Sequence, residues 1–337
     1  MKIYGIGDLF IPAEYILSGL KKNGLTGKVY NWNIETFEKL QEINLLIEQN
    51  GPEVYDVPQG IIDKIAPAEI LITQFCPITK QVINSCPNLK IIGILRGGYE
   101  NINVEYATAK GIRVLNTPGR NADAVADFAV GAIICESRNI ARGHLGIKNG
   151  EWIREYPNSG FIPDLPGRTV GLIGFGEIGQ KTAKRLSAFD MNILAYDPYC
   201  EEYPEYVRQA ELEEIFAKSD FVSLHARLTK ENRHLVNADM LKLMKPTAYL
   251  VNTSRAGLVD EKALCDALKN KKIAGAFLDV FEDEPPGIDH PLVVLPNVTL
   301  TPHMAGGSND AFLNSPIKLA AELVKYLRGE ECRGIIN

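Results

Sequence analysis

The stretch from Thr169 to Leu186, TVGLIGFGEIGQKTAKRL, constrains the fold more than any other part of the chain. It opens on an apolar run, passes through three glycines and closes on a helical pattern. Gly174, Gly176 and Gly179 form G-x-G-x-x-G between a predicted strand and a predicted helix, the context that gives an otherwise weak pattern its meaning. The first glycine permits a tight turn, the second lets backbone approach a pyrophosphate, and the third lets the helix pack close to the sheet. The start of such a helix offers unpaired N–H groups and the positive end of its dipole to the anion. Asp197 ends the strand NILAYD, eighteen positions after Gly179, near where a carboxylate accepts hydrogen bonds from the ribose hydroxyls of a dinucleotide. The segment that follows, DPYCEEY, has no basic residue to receive a 2′-phosphate, so the expected ligand is NAD(H) rather than NADP(H).

This motif sits mid-chain, with α/β patterns on both sides. Before it, KIYGIG at residue 2, EILITQF at 69, LKIIGIL at 89 and IRVLNTP at 112 are apolar without polar alternation. They predict strands buried on both faces, as in a parallel sheet. Amphipathic stretches such as Ala13–Lys22 and Lys80–Asn84 lie between them. From Asn121, a plausible N-cap, helical spacing continues past residue 140 and predicts one long helix, able to bridge two lobes or build a subunit interface as well as fill a core. After Thr169, six strand patterns follow: TVGLIG, MNILAYD, FVSLHA, AYLVNTS, IAGAFLD and NVTLTP. A last helix is predicted over about 310–328. A length of 337 residues suits two domains.

Composition narrows the partners. Net charge is −6 and no basic run occurs, which argues against nucleic acid and anionic membranes. The N-terminal MKIYGIGDLF does not read as a signal peptide, and the longest apolar runs, such as FAVGAIIC, are too short to span a bilayer. Six cysteines without a C-x-x-C pair read as reduced thiols in a cytoplasmic protein, with no metal site expected.

A nicotinamide exchanging hydride with a 2-oxo acid needs a cation for the carboxylate, an acid/base for the hydroxyl proton, and a group that tunes it. The chain offers all three past predicted strands: Arg255 in LVNTSRAGLVD, Glu284 in LDVFEDEPP and His303 in TLTPHMAGGS. Singly, each is more ordinary as a surface charge or turn residue. Their order behind a dinucleotide motif gives them weight together.

The chain resembles the D-isomer-specific 2-hydroxyacid dehydrogenase family, which includes phosphoglycerate, glycerate and glyoxylate/hydroxypyruvate enzymes. The resemblance rests on YENINVEYATAKGIRVLNTPGRNADAVADFA, GRTVGLIGFGEIGQ, YLVNTSRAGLVDEKAL, GAFLDVFEDEP and PNVTLTPHMAGGS. It implies two doubly wound parallel-sheet domains. A Rossmann NAD-binding domain, residues 118–303, would be inserted in a flavodoxin-like substrate-binding domain, residues 1–117 plus 304–337. It assigns Arg255 to the substrate carboxylate and carbonyl, Glu284 to keeping the histidine protonated, and His303 to acid/base chemistry. It places Asp279 near the nicotinamide carboxamide and His225 in a positional role. Glu177, Ile178 and Thr253 join the glycines and Asp197 as cofactor contacts, with Arg255 and His303 beside them. Arg96, Gly97 and Gly98 occupy the family's substrate-carboxylate loop. A homodimer through the NAD-binding domain is also implied.

Departures from the family pattern bear on substrate. Arg96 in LRGGYENIN stands where the family has a small residue. It reads equally as a receptor for a second anion, such as a phosphate or sugar acid, and as a salt-bridged structural residue. Thr73 stands where many relatives carry an arginine, which weakens a 3-phosphoglycerate reading. Ala256 replaces a glycine after Arg255, and Arg227 stands where proline is common, with solvent as its expected environment. Two alternatives remain: a phosphite dehydrogenase, and an NAD-sensing corepressor whose output is partner binding. Glu284, where formate dehydrogenases have glutamine, argues against that branch.

Overall fold

The computed structural model describes residues 1–337, which divide into two compact units. Unit 1 comprises Met1–Asn121 and Gly307–Asn337, and unit 2 comprises Ala122–Gly306.

Unit 1 runs β1 (Ile3–Gly7), α1 (Ala13–Lys22), β2 (Gly27–Asn31), α2 (Phe37–Asn50), α3 (Gln59–Ile65), β3 (Ile70–Thr73), α4 (Lys80–Ser85), β4 (Ile91–Ile94), α5 (Val104–Ala109) and β5 (Arg113–Leu115). The chain's last helix, Asn309–Leu327, also belongs to it. Its strands are all parallel in the order β2-β1-β3-β4-β5, the flavodoxin-like arrangement. β1, β3 and β4 are buried at every position, with a hydrophobic cluster on each face of the sheet. β2 is absent from the sequence expectations. GKVYN is only partly buried, so it lacks the apolar run that marks the inner strands. Gly19 on α1 admits the last helix: a Cβ there would meet Pro316 at 2.6 Å.

Unit 2 begins with α6 (Ala122–Ser137) and α7 (Ile140–Lys148). The single long helix expected from sequence is therefore two. The break is at Asn139, which adopts a left-handed backbone with φ 57°, a conformation asparagine tolerates better than most residues. Its amide donates to Asn158 Oδ1 at 2.7 Å, and Ser137 Oγ turns back to the Ile133 carbonyl at 2.7 Å.

The rest of unit 2 is β6 (Thr169–Ile173), α8 (Glu177–Ser187), β7 (Asn192–Tyr196), β8 (Val207–Gln209), α9 (Leu212–Lys218), β9 (Phe221–Leu224), α10 (Ala238–Leu243), β10 (Tyr249–Asn252), α11 (Glu261–Lys269), β11 (Gly275–Leu278) and β12 (Val298–Leu300). The parallel sheet has the order β12-β11-β10-β9-β6-β7-β8, the Rossmann pattern with a seventh strand. β8, the strand not anticipated, is a three-residue edge with two exposed positions. Strand order reverses between β6 and β9, so the loops after these strands flank the crevice where such sheets bind ligands.

One buried ion pair ties α6 to this sheet. Glu136 is almost fully buried, bonds Arg142 at 2.7 Å and accepts from Thr299 Oγ1. Arg142 also donates to the Pro296 carbonyl at 2.7 Å. Removing one member of such a pair strands a charge, at about 3–5 kcal/mol. Arg142→Met should lower unfolding free energy by about that amount in urea titrations. The double variant Glu136→Met, Arg142→Met should recover part of the loss; no loss in the single variant would show that the pair is already neutralised.

Candidate active site

Arg255, Asp279 and His303 follow β10, β11 and β12, three adjacent strands of one parallel sheet. Parallel register puts the three strand ends on one edge, which is how residues far apart in sequence become neighbours.

His303 stands in the left-handed region, φ 49°, a backbone state that surrounding contacts must hold. The contacts come from Asp279. Its carboxylate is 0% exposed and accepts from Thr301 Oγ1 at 2.6 Å, from the Met304 N–H at 2.9 Å and from the Ala305 N–H at 2.8 Å. The resemblance places Asp279 near the nicotinamide carboxamide; in the structure both of its oxygens are engaged by the loop carrying His303.

The imidazole is oriented by Glu284. His303 Nδ1 and Glu284 Oε2 lie 2.8 Å apart, while Glu284 Oε1 accepts from the Phe281 N–H at 3.1 Å. With both carboxylate oxygens held and Nδ1 spent, Nε2 is the nitrogen left for chemistry. The Glu284 hydrogen bond and charge raise His303 above its ordinary pKa, against burial and the Arg255 charge. Burial pushes Glu284 up, but the His303 bond and charge, the Phe281 N–H and Arg255 together hold it below the usual carboxylate range. Arg255 is exposed, its Nη1 donates to the Ser254 carbonyl at 2.8 Å, and its field reaches both partners. Its loop is fixed by Asn252, which donates to the Arg255 carbonyl at 3.0 Å and accepts from the Ser254 N–H at 3.0 Å. Ala256 opens a short 3-10 turn there without displacing these bonds.

The glycine loop leads from β6 into α8. Gly174 has φ 95°, and a Cβ there would meet the Ala226 nitrogen at 2.5 Å. A Cβ on Gly179 would meet the Gly174 carbonyl oxygen at 2.2 Å. Around Gly176 nothing lies within 4 Å of a built Cβ, and no side chain of the N-cap residue caps α8. Glu177 and Ile178 form this first turn. Asp197 braces the loop: Oδ2 accepts from the Phe175 N–H at 2.7 Å and Oδ1 from the Tyr199 N–H at 2.8 Å. An open depression of about 810 Å³ adjoins it, lined by Gly176, Asp197, Tyr199, Glu201 and Glu202 among others.

Two buried polar atoms beside this loop have no partner in the chain. Thr253 Oγ1 follows β10, and His225 Nδ1 follows β9. The other ring nitrogen of His225 lies 3.0 Å from Ser223 Oγ, and burial pushes the imidazole down to about 4, so it is neutral at pH 7. An uncapped helix start, a vacant glycine flank and two orphaned polar atoms fit a dinucleotide. Arg227 is exposed, as expected.

The third group of expected residues, in unit 1, is arranged differently. Arg96 bonds Glu48, Glu100 at 3.3 Å and Asn44 at 2.8 Å, and lies over the Phe75 ring at 5.2 Å. Of its two readings, this geometry supports the salt-bridged one. A Cβ on Gly98 would meet only the movable tips of Glu100 and Arg96, and Gly97 has open space. Thr73 is buried and donates to the Cys76 carbonyl at 3.0 Å, facing the fold and not a ligand.

Comparison with known proteins agrees with this geometry. Residues 130–305 match the model of the D-isomer specific 2-hydroxyacid dehydrogenase NAD binding domain. The chain is 38% identical over 338 residues to the glyoxylate reductase of Thermococcus litoralis, with 97% of each chain covered. It is 39% identical over 287 residues, 83% of its length, to the D-3-phosphoglycerate dehydrogenase of Methanocaldococcus jannaschii, and spans 53% of that longer protein. Among solved structures, the TT0316 protein of Thermus thermophilus superposes with a TM-score of 0.75 at 30% identity, covering 100% of both chains. No helix is long and apolar enough to cross a membrane. A Rossmann sheet with a glycine loop, an oriented histidine–glutamate pair and these matches place the chain in the D-isomer-specific 2-hydroxyacid dehydrogenase family, as an NAD-dependent oxidoreductase.

Proposed function

We propose that the enzyme interconverts a short 2-oxo acid and its D-2-hydroxy acid, with unit 1 binding the substrate and unit 2 the cofactor. The observation that carries this reading is the 2.8 Å His303–Glu284 pair, which commits Nδ1 and leaves Nε2 for proton transfer. Bound nicotinamide supplies or accepts the hydride. His303 Nε2 then gives a proton to the carbonyl oxygen in reduction and takes it from the hydroxyl in oxidation. Arg255 binds the carboxylate through its fork of donors and polarises the carbonyl. Glu284 stabilises the imidazolium, and Asp279 positions the loop. Relatives named glyoxylate reductase, hydroxypyruvate reductase and D-3-phosphoglycerate dehydrogenase support this substrate class, whose members share an acid head and differ at the far end.

The test is NADH oxidation in the presence of glyoxylate or hydroxypyruvate. His303→Ala should lower kcat by about two to four orders of magnitude. For reduction His303 must hold its proton, so the rate is full below its pKa and falls as pH rises through it. Glu284 raises that pKa, so Glu284→Gln should move the fall to lower pH, and the rise of the oxidation rate with it. An unmoved pH–rate profile removes Glu284 from its assigned role.

Asp197, Glu201 and Glu202 line the adenosine end with carboxylates and would repel a 2′-phosphate. NADH should exceed NADPH in kcat/KM by at least about tenfold, the ratio of a 1.4 kcal/mol preference; equal values would overturn this.

Unit 2 also presents Ile140, Leu145, Ile147 and Trp152 to solvent, Trp152 at 81% exposure, on and after α7. We assign this apolar surface to a homodimer contact. Light scattering should give twice the chain mass, and Leu145→Glu should halve it; a wild-type monomer would refute the contact.

A further inference from the structure

Unit 1 leaves buried polar atoms without hydrogen-bond partners near the carboxyl edge of its sheet, on Asp8, Gln74 and Arg120 among others. Asp8 follows β1, Gln74 follows β3, and Arg120 lies five residues beyond β5. Strand order in this sheet reverses between β1 and β3, the position where open α/β sheets bind ligands. Asp8 and Gln74 therefore flank the switch point of unit 1 as Gly174 and His225 flank that of unit 2.

Gln74 is 1% exposed, and neither its amide nitrogen nor its carbonyl oxygen has a partner. Asp8 is 4% exposed; its Oδ1 accepts from the N–H groups of Phe10 and Ile11 at 2.9 Å each, and its Oδ2 accepts from none. Arg120 lies over the Phe312 ring at 5.4 Å, with Nη1 sealed and unbonded. The residue as a whole is half-buried.

Arg96 provides the contrast. It carries two carboxylates and an amide oxygen, whereas Arg120 has no ion pair. Burial and the nearby Arg96 charge push Arg120 down to about 10, and Asp8 offsets this only at a distance. Burial pushes Asp8 itself up to about 6, which leaves it mostly ionised at pH 7, yet it makes no ion pair with Arg120. A buried donor left without an acceptor is costly, more so on a charged group, so a guanidinium kept this way signals an anion that arrives from outside.

We propose that Arg120, with the Gln74 amide, recognises the oxyanion, carboxylate or phosphoryl, at the far end of a dianionic 2-oxo or 2-hydroxy acid. This rests on the reading of unit 1 as the substrate-binding part.

The experiment compares the full-length wild type with Arg120→Met and Arg120→Lys on glyoxylate, oxaloacetate and phosphohydroxypyruvate. Arg120→Met should lower kcat/KM for a dianion at least about tenfold more than for glyoxylate, mainly through KM, an extra 1.4 kcal/mol. Arg120→Lys, which keeps the charge and loses the fork, should fall between. The dianion showing the larger differential identifies carboxylate or phosphoryl recognition. Equal losses on all three acids overturn the proposal. A second readout needs no turnover. Malonate or inorganic phosphate should raise the Tm of the wild type saturably, and that of Arg120→Met much less. Matching shifts, or none in the wild type, also overturn it. If the wild type reduces none of the acids while the anion still protects it selectively, the anion site stands and the His303 chemistry is what fails.

Discussion

The Asp279 carboxylate is the contact on which the geometry of the active site depends. It is removed from solvent, and a carboxylate in that position is tolerable only with its lone pairs satisfied. Three donors from residues 301–305 do this, and in doing so they shape the backbone on both sides of His303. The left-handed conformation of that residue is held by bonds the buried carboxylate cannot give up cheaply. Because Glu284 is anchored by the Phe281 N–H on one oxygen, it meets the imidazole with the other in a defined direction. Orientation and electrostatics are thus set within one strand edge, and His303 needs no further rearrangement to present Nε2.

Much of this was legible in the sequence, for identifiable reasons. Inner strands such as ILIT, IIGI and YLVN are buried on both faces and announce themselves as apolar runs. Two of the four edge strands do not: GKVYN and VRQ carry solvent-facing residues and resemble loops. The division of the long helix at Asn139 was hidden because apolar spacing resumes after the break, and the bond that stabilises the turn comes from Asn158, nineteen residues on. Charge partners were the least legible. Arg96 stands out as an intrusion into a glycine-rich loop, but the carboxylate that absorbs it, Glu48, lies forty-eight residues earlier on α2. Arg120 sits inside a stretch that carries the family likeness, and only the fold shows that its buried Nη1 has no acceptor. The family likeness gives Asp279 a cofactor role, while its three bonds to the histidine loop are not foreseeable from spacing.

The same topological rule operates in both sheets, and what each leaves unpaired differs in kind. At the edge of the unit 2 sheet, the orphaned groups are a hydroxyl and a neutral ring nitrogen, Thr253 Oγ1 and His225 Nδ1. Neutral groups of this sort cost about 1–3 kcal/mol each when unsatisfied, and they suit a ligand that meets them with amides and hydroxyls. At the edge of the unit 1 sheet, the orphaned set includes a guanidinium, for which the penalty is larger and the remedy narrower. A charge kept without a partner beside another arginine selects for an anion and against neutral groups of the same shape. The fold class accounts for where both sites lie, because parallel strands end together and reverse order at one place. The chemistry of the unpaired atoms then differs between the sheets: neutral donors and acceptors at one edge, where the proposed dinucleotide would lie, and a cation without an ion pair at the other, where we propose an acidic end group.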